Sequence, residues 1–146
     1  ATVVGDGKSR EELKQQVFER GLQEAVRFFP PMPAREAFAL GRLMVVPSRA
    51  ESFPYIVLEA AAAGKPLVVT KVGGIADMFG PLADRLLAPD DVHALEAAIG
   101  HAVNQIESTM ADARLLRERI RTTFSLDEMV DGGLKAYRDA LALRKS

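Results

Sequence analysis

Leu43-Met44-Val45-Val46-Pro47-Ser48-Arg49-Ala50-Glu51-Ser52-Phe53-Pro54 opens the stretch that decides the fold, and Tyr55-Ile56-Val57-Leu58-Glu59-Ala60-Ala61-Ala62-Ala63-Gly64-Lys65-Pro66-Leu67-Val68-Val69-Thr70 completes it. Two short β-branched runs, 43–46 and 67–70, flank a segment with the length and composition of a helix that begins at 52–54 and stops at Gly64. Strand, helix and strand in that order make a βαβ unit. Working outward, apolar runs at 1–4 and 25–29 and a weaker one at 85–87 continue the alternation, so the expected fold is α/β, a Rossmann-like parallel sheet flanked by helices.

The helices carry their own signals. Ser9 with Glu12 is a capping box for a first helix that puts Leu13 and Val17 on one face and stops at Gly21. A shorter helix follows Pro33, carries Ala37, Phe38 and Leu40, and ends at Gly41. Past 85–87, Asp90 or Asp91 caps a helix whose Val92, Leu95, Ile99, Val103 and Ile106 form one apolar stripe. Leu115, Leu116, Ile120 and Phe124 mark another. Ser125 with Glu128 opens the last, through Met129, Leu134, Tyr137 and Leu141. With no repeat or linker, the chain reads as one domain, an α/β core over 1–107 and a helical tail over 108–146, whose mixed charges from Arg114 to Lys145 form a solvated face.

Composition narrows the function classes. A chain of 146 residues with 48% hydrophobic and 27% charged side chains is that of an ordered domain, able to bury about 70% of its unfolded surface. The net charge of −1 supplies no field for a nucleic-acid backbone or an anionic membrane. The lack of Cys excludes disulfides, thiolate metal sites and a Cys nucleophile. The longest apolar stretch, 53–64, is interrupted by Glu59 and is too short to span a bilayer. Ala1-Thr2-Val3-Val4 begins with neither Met nor a leader, which is the expectation for a piece of a longer protein.

Ligands of open α/β sheets bind beyond the carboxyl ends of the strands, so chemistry is sought in the loops after 4, 46 and 70. Gly5-Asp6-Gly7-Lys8 either brings backbone close to a ligand or is a plain strand-to-helix turn; it is not a dinucleotide fingerprint. In a helix apolar all round, and so expected to be buried, Glu59 needs a partner. Helical Cα–Cβ bonds tilt toward the N-terminus, which aims Glu59 at the loop holding Glu51. Two converging carboxylates accept hydroxyls of a sugar or ribose. Otherwise Glu59 caps or pairs with a neighbouring cation and Glu51 is a solvated charge. Gly73 and Gly74 either admit a phosphate or sugar or make an unoccupied turn. His93 and His101, eight residues apart on one helix, read as surface or half-buried histidines rather than metal ligands.

Taken together, Val45 to Phe53, the helix ending Ala60-Ala61-Ala62-Ala63-Gly64-Lys65-Pro66, and Val69-Thr70-Lys71-Val72-Gly73-Gly74 resemble the donor-binding, C-terminal half of retaining GT-B glycosyltransferases of the group-one family. Glu51 and Glu59, with seven residues between them, match that family's paired glutamates. Val3-Val4-Gly5-Asp6-Gly7 and Val26-Arg27-Phe28-Phe29 resemble its flanking strands. The resemblance implies that Glu59 accepts the ribose hydroxyls of a nucleotide and that Glu51, the catalytic position, accepts a hydroxyl of the donor sugar. Ser52, Phe53 and Tyr55 would face sugar and diphosphate at the helix N-terminus, Met32 the base, and Gly73-Gly74 the phosphates. It further implies a UDP- or GDP-type nucleotide sugar as donor, no metal or other cofactor, and transfer with retention to a glycan, glycolipid or small acceptor. The setting implied is polysaccharide biosynthesis in the cytoplasm, with peripheral contact at the inner membrane face. A non-catalytic GT-B-like binding or scaffold module and a nucleotide-sugar epimerase are the competing readings.

Two departures from the pattern bear on this. Pro54 replaces the family's usual Gly, and proline has no N–H to offer a ligand. The family's first strand–helix unit, with its diphosphate-gripping Arg and Lys, and its N-terminal acceptor domain are absent, so this chain alone is expected to be inactive. The resemblance places the missing strand between 1–4 and 43–46. Those two strands are therefore expected to close directly into a five-stranded sheet, or the truncated edges to be filled by another chain through self-association. The stripe Met129, Leu134, Tyr137 and Leu141 is expected to be partly exposed or covered by a neighbour.

Overall fold

A computed structural model describes residues 1–143; Lys145, at the end of the expected solvated face, lies outside the described residues. The elements follow in the order β1 (Thr2–Val4), α1 (Arg10–Glu19), β2 (Arg27–Phe29), α2 (Ala34–Ala39), β3 (Met44–Val46), α3 (Tyr55–Ala62) and β4 (Leu67–Val69). After these come α4 (Ile75–Phe79), a 3-10 turn (Gly80–Arg85), α5 (Val92–Asn104), α6 (Ile106–Thr123) and α7 (Leu126–Leu143). All strand pairing is parallel, as the βαβ alternation requires. The weak strand at 85–87 reduces to one bridge between Leu87 and Thr70, because Arg85 is still wound into the 3-10 turn behind Pro81.

Direct closure of the sheet does not occur. β1 pairs with β2, from Thr2 beside Arg27 to Val4 beside Phe29, and β3 pairs with β4, from Met44 beside Leu67 to Val46 beside Val69. Among the described residues nothing joins β1 to β3 and no strand lies between them. The neighbour relation expected of those two strands is therefore not met. The connection explains why they stay apart. Pro30-Pro31-Met32-Pro33 is stiff at three of its four φ angles, and α2 beyond it is anchored to a second body, β3 through α6, by the Lys65 ammonium, which donates to the carbonyls of Phe38 and Gly41 (2.6 Å for Gly41).

The core lies wholly in the second body. Val46, Val57, Ala61, Val69, Ile75, Met78, Phe79, Leu116 and Ile120 are buried together. The first body, residues 1–29, holds no fully buried residue; Leu13, Leu22 and Phe18 are exposed, and an open groove of about 220 Å³ separates α1 from its two strands. Packing therefore does not divide at 107/108, since α6 lies on α3 and contributes Leu116 and Ile120 to the core.

Local departures have local causes. Ser9 precedes α1 in a turn conformation (φ −84°, ψ 5°), from which its hydroxyl makes no cap bond, so the capping box with Glu12 is not formed. Asp91 caps α5 through the Ala94 N–H at 2.9 Å, and Ser125 accepts the Glu128 N–H at 3.2 Å. The long stripe breaks at Gln105: Ile106 begins α6, while Val92 and Val103 face solvent. α3 is not buried all round. Val57, Ala60 and Ala61 face inward, and Tyr55, Ile56, Glu59, Ala62 and Ala63 form an exposed face. On α7, Met129, Leu134, Tyr137 and Leu141 are all exposed, in line with the sequence expectation.

α4 is held from outside. Arg119 of α6 donates from Nε to the Met78 carbonyl at 2.9 Å and from Nη2 to the Asp77 carbonyl at 2.8 Å, satisfying groups that a helix of this length leaves free. Arg119→Ala is expected to cost about 1–3 kcal/mol in urea unfolding of this chain. Replacing Met129, Leu134 and Leu141 together by Gln is expected to move the same free energy by less than about 0.5 kcal/mol per site, because none is buried.

Candidate functional site

The carboxyl ends of β3 and β4 deliver two loops to the same place. The first, 47–54, carries Glu51, Ser52 and Phe53; the second, 70–74, carries the glycine pair. Gly74 N–H donates to the Ser52 carbonyl at 2.8 Å, locking one loop onto the other. Gly73 has φ +51°, and a Cβ there would overlap the Glu51 carbonyl oxygen and stand 2.7 Å from that of Ser52. A Cβ on Gly74 would come within 2.6 Å of the Phe53 ring. The close approach expected of these glycines is thus made to the protein's own Glu51 and Ser52 backbone and the Phe53 ring.

Further contacts fix the first loop. The buried Thr70 hydroxyl lies 2.6 Å from the Ser48 carbonyl and 3.3 Å from that of Val46. Ser48 donates to Glu51 Oε1 at 2.8 Å, and exposed Arg49 pairs with Asp90 at 2.6 Å. Asp90 is the one described non-glycine residue with positive φ, +62°. The Phe53 ring rests on Phe124 at 6.0 Å between centroids and meets Tyr55 edge-on at 6.1 Å.

Glu51, Ser52, Phe53, Tyr55, Gly73 and Gly74 are therefore brought together, whereas Met32 and Glu59 are not joined to them by any described hydrogen bond. Met32 is half-buried beyond β2. Glu59 is exposed on the second turn of α3 and takes part in no described ion pair, so the expectation of a neutralising partner is not met; solvent on the outer face of α3 makes one unnecessary. Glu51 is exposed as well and faces no described cation. Pro54 is buried at the start of α3, where its carbonyl accepts the N–H groups of Val57 (3.0 Å) and Leu58 (3.4 Å). That leaves Tyr55 and Ile56 as the first N–H groups of α3 without a partner inside the helix.

Sequence reasoning missed the support. Ser48, Thr70 and Phe124 have no motif value of their own, and only the strand-end position of Thr70 beside a loop carbonyl signals its role. Among the described residues no three His, Asp or Glu side chains gather as a metal site, and no helix is long and apolar enough to cross a membrane.

Comparison with known proteins agrees with this architecture. The family model described as glycosyl transferases group 1 matches residues 1–105. D-inositol 3-phosphate glycosyltransferase of Acidothermus cellulolyticus is 33% identical over 141 residues, covering 93% of this chain and 31% of that protein. Glycogen synthase of Mycobacterium tuberculosis H37Rv is 29% identical over 140 residues, covering 93% and 34%. The sucrose-phosphate synthase structure from Thermosynechococcus elongatus has a TM-score of 0.81 at 24% identity, covering 97% of this chain and 38% of its own. Anabaena HepE, solved in complex with UDP, gives 0.78 at 23%, covering 93% and 40%. These two likenesses are of fold, the α/β arrangement of GT-B glycosyltransferases. The chain spans about a third of the length of the curated relatives it matches. On the match of residues 1–105 and the identity to relatives named as glycosyltransferases, this chain belongs to the group 1 glycosyl transferases.

Proposed function

We propose that this chain is the C-terminal, nucleotide-sugar-binding domain of a retaining glycosyltransferase. The observation that carries the reading is the interlocked pair of loops beyond β3 and β4, which holds Glu51 exposed at the edge of the site, in a chain of this family. Glu59 accepts the ribose hydroxyls and Glu51 a hydroxyl of the donor sugar, roles suited to ionised carboxylates, which only accept. The free N–H groups of Tyr55 and Ile56 face the diphosphate, where charge grows as the glycosyl bond breaks. The donor is a UDP- or GDP-sugar, and no protein-bound metal takes part. Acceptor groups come from a further domain, so the 146 residues alone do not turn over.

The likeness to HepE, solved with UDP, supports a nucleoside diphosphate as ligand, and relatives named for inositol phosphate and glycogen support a small acceptor or a glycan. A cytoplasmic setting, with peripheral membrane contact, belongs to the same proposal. Pro54 favours a second reading, a non-catalytic binding module, since proline offers no N–H at the helix entrance. Binding without turnover in the complete protein would select it.

Calorimetry on the complete protein separates the two glutamates. Glu59→Ala is expected to weaken UDP or GDP by about 1.5–3 kcal/mol, the worth of a charge-assisted pair of hydrogen bonds, and unchanged affinity would sink the ribose assignment. Glu51→Ala is expected to leave the free diphosphate bound as before while damaging turnover of the sugar donor; equal weakening of both ligands would reverse the roles. Gly73→Ala is expected to lower thermal stability and nucleotide affinity together, because the new methyl displaces the Glu51 backbone.

A further inference from the structure

Behind Glu51 runs a chain of hydrogen bonds that begins in the core. Thr70 is the one buried polar side chain recorded among the described residues, and its hydroxyl lies nearer the Ser48 carbonyl, at 2.6 Å, than that of Val46, at 3.3 Å. One hydroxyl has one proton, so the shorter contact takes it. Ser48 in turn gives its own proton to Glu51 Oε1 at 2.8 Å. On the other side of Glu51, the Ser52 carbonyl is pinned by the Gly74 N–H at 2.8 Å. The backbone on both flanks of an exposed glutamate is thus fixed to the end of β4 and the loop after it, and the carboxylate itself is held by one neutral donor.

We propose that Ser48 and Thr70 are positioning residues for Glu51, setting its carboxylate before the donor sugar arrives. The inference rests on the reading of Glu51 as the acceptor of a sugar hydroxyl. An unrestrained glutamate on a surface loop samples many rotamers, and a ligand that needs one of them loses affinity to the ordering. Ser48 removes that cost in advance. Because serine is uncharged, it engages Oε1 without neutralising the carboxylate, and Oε2 remains open to a ligand hydroxyl. Among the described residues no Lys or Arg pairs with Glu51, so Ser48 is the side chain on which its orientation depends.

The test is calorimetry on the complete protein with UDP-glucose, UDP-N-acetylglucosamine and GDP-mannose, each measured against free UDP or GDP. The quantity read is the affinity ratio of sugar nucleotide to diphosphate. Ser48→Ala is expected to lower that ratio about five- to tenfold, the loss of one hydrogen bond, with diphosphate affinity unchanged. Ser48→Thr restores it, and Thr70→Val lowers it where Thr70→Ser does not. In a Glu51→Ala background, Ser48→Ala has no further effect. A wild-type ratio for Ser48→Ala alongside a reduced one for Glu51→Ala would overturn the positioning role alone. So would an undiminished Ser48→Ala effect in the Glu51→Ala background. An unchanged ratio in Glu51→Ala itself, or no binding of any of the probes, would overturn the underlying reading and this inference with it.

Discussion

The packing of α3 on α6 is the contact from which the rest of the second body is built. Small side chains make it close: Ala60 and Ala61 on α3 and Ala113 on α6 are buried, so the two backbones approach and Leu116 and Ile120 reach Val57 and the β3–β4 layer. Three supports around the candidate site then hang from α6. Arg119 holds the carbonyl end of α4, Asp112 pairs with Arg85 at the end of the 3-10 turn, and Phe124, one residue past the helix, supports Phe53. A methylene inserted at Ala60 or Ala61 would separate the helices and disturb all three attachments at once.

Much of this was legible in the sequence, and the part that was not has a physical reason in each case. Alternation of β-branched runs with helical spacing located all four strands and the parallel sense of their pairing, though not which strands pair, because strand and helix periods differ enough to be read over a few residues. The Glu51 and Gly73-Gly74 loops were legible because strand ends of α/β sheets are the places to look. What the glycines touch was not: a left-handed φ and a missing Cβ serve a ligand and a neighbouring carbonyl equally well, and only the fold brings the Glu51 and Ser52 carbonyls into the space. Ser9 and Glu12 have the spacing of a capping box but not the extended backbone at Ser9, which sits inside the turn closed by the Arg10 N–H on the Gly7 carbonyl. That α6 packs into the core was not legible, because its apolar stripe reads the same whether it faces a core or a partner.

Glu51 and Glu59 show how differently one residue type can be held. Glu51 sits on a loop that the core fixes through Thr70, Ser48 and the glycine turn, and its carboxylate already has a donor. Glu59 projects from the outer face of a helix, where the backbone is rigid and the side chain is left to solvent. For the first the structure restrains the side chain before any ligand arrives. For the second a ligand must supply the restraint.

The unjoined strands have a consequence for how the molecule breathes. The ladder between β3 and β4 lies over the buried cluster, whereas the ladder between β1 and β2 has no buried side chain behind it. Two tiers of hydrogen-exchange protection are the expected result. The proline-rich connection at 30–33 marks the border between a part of the chain with a buried cluster and a part without one, and subglobal opening is expected to begin in the first twenty-nine residues.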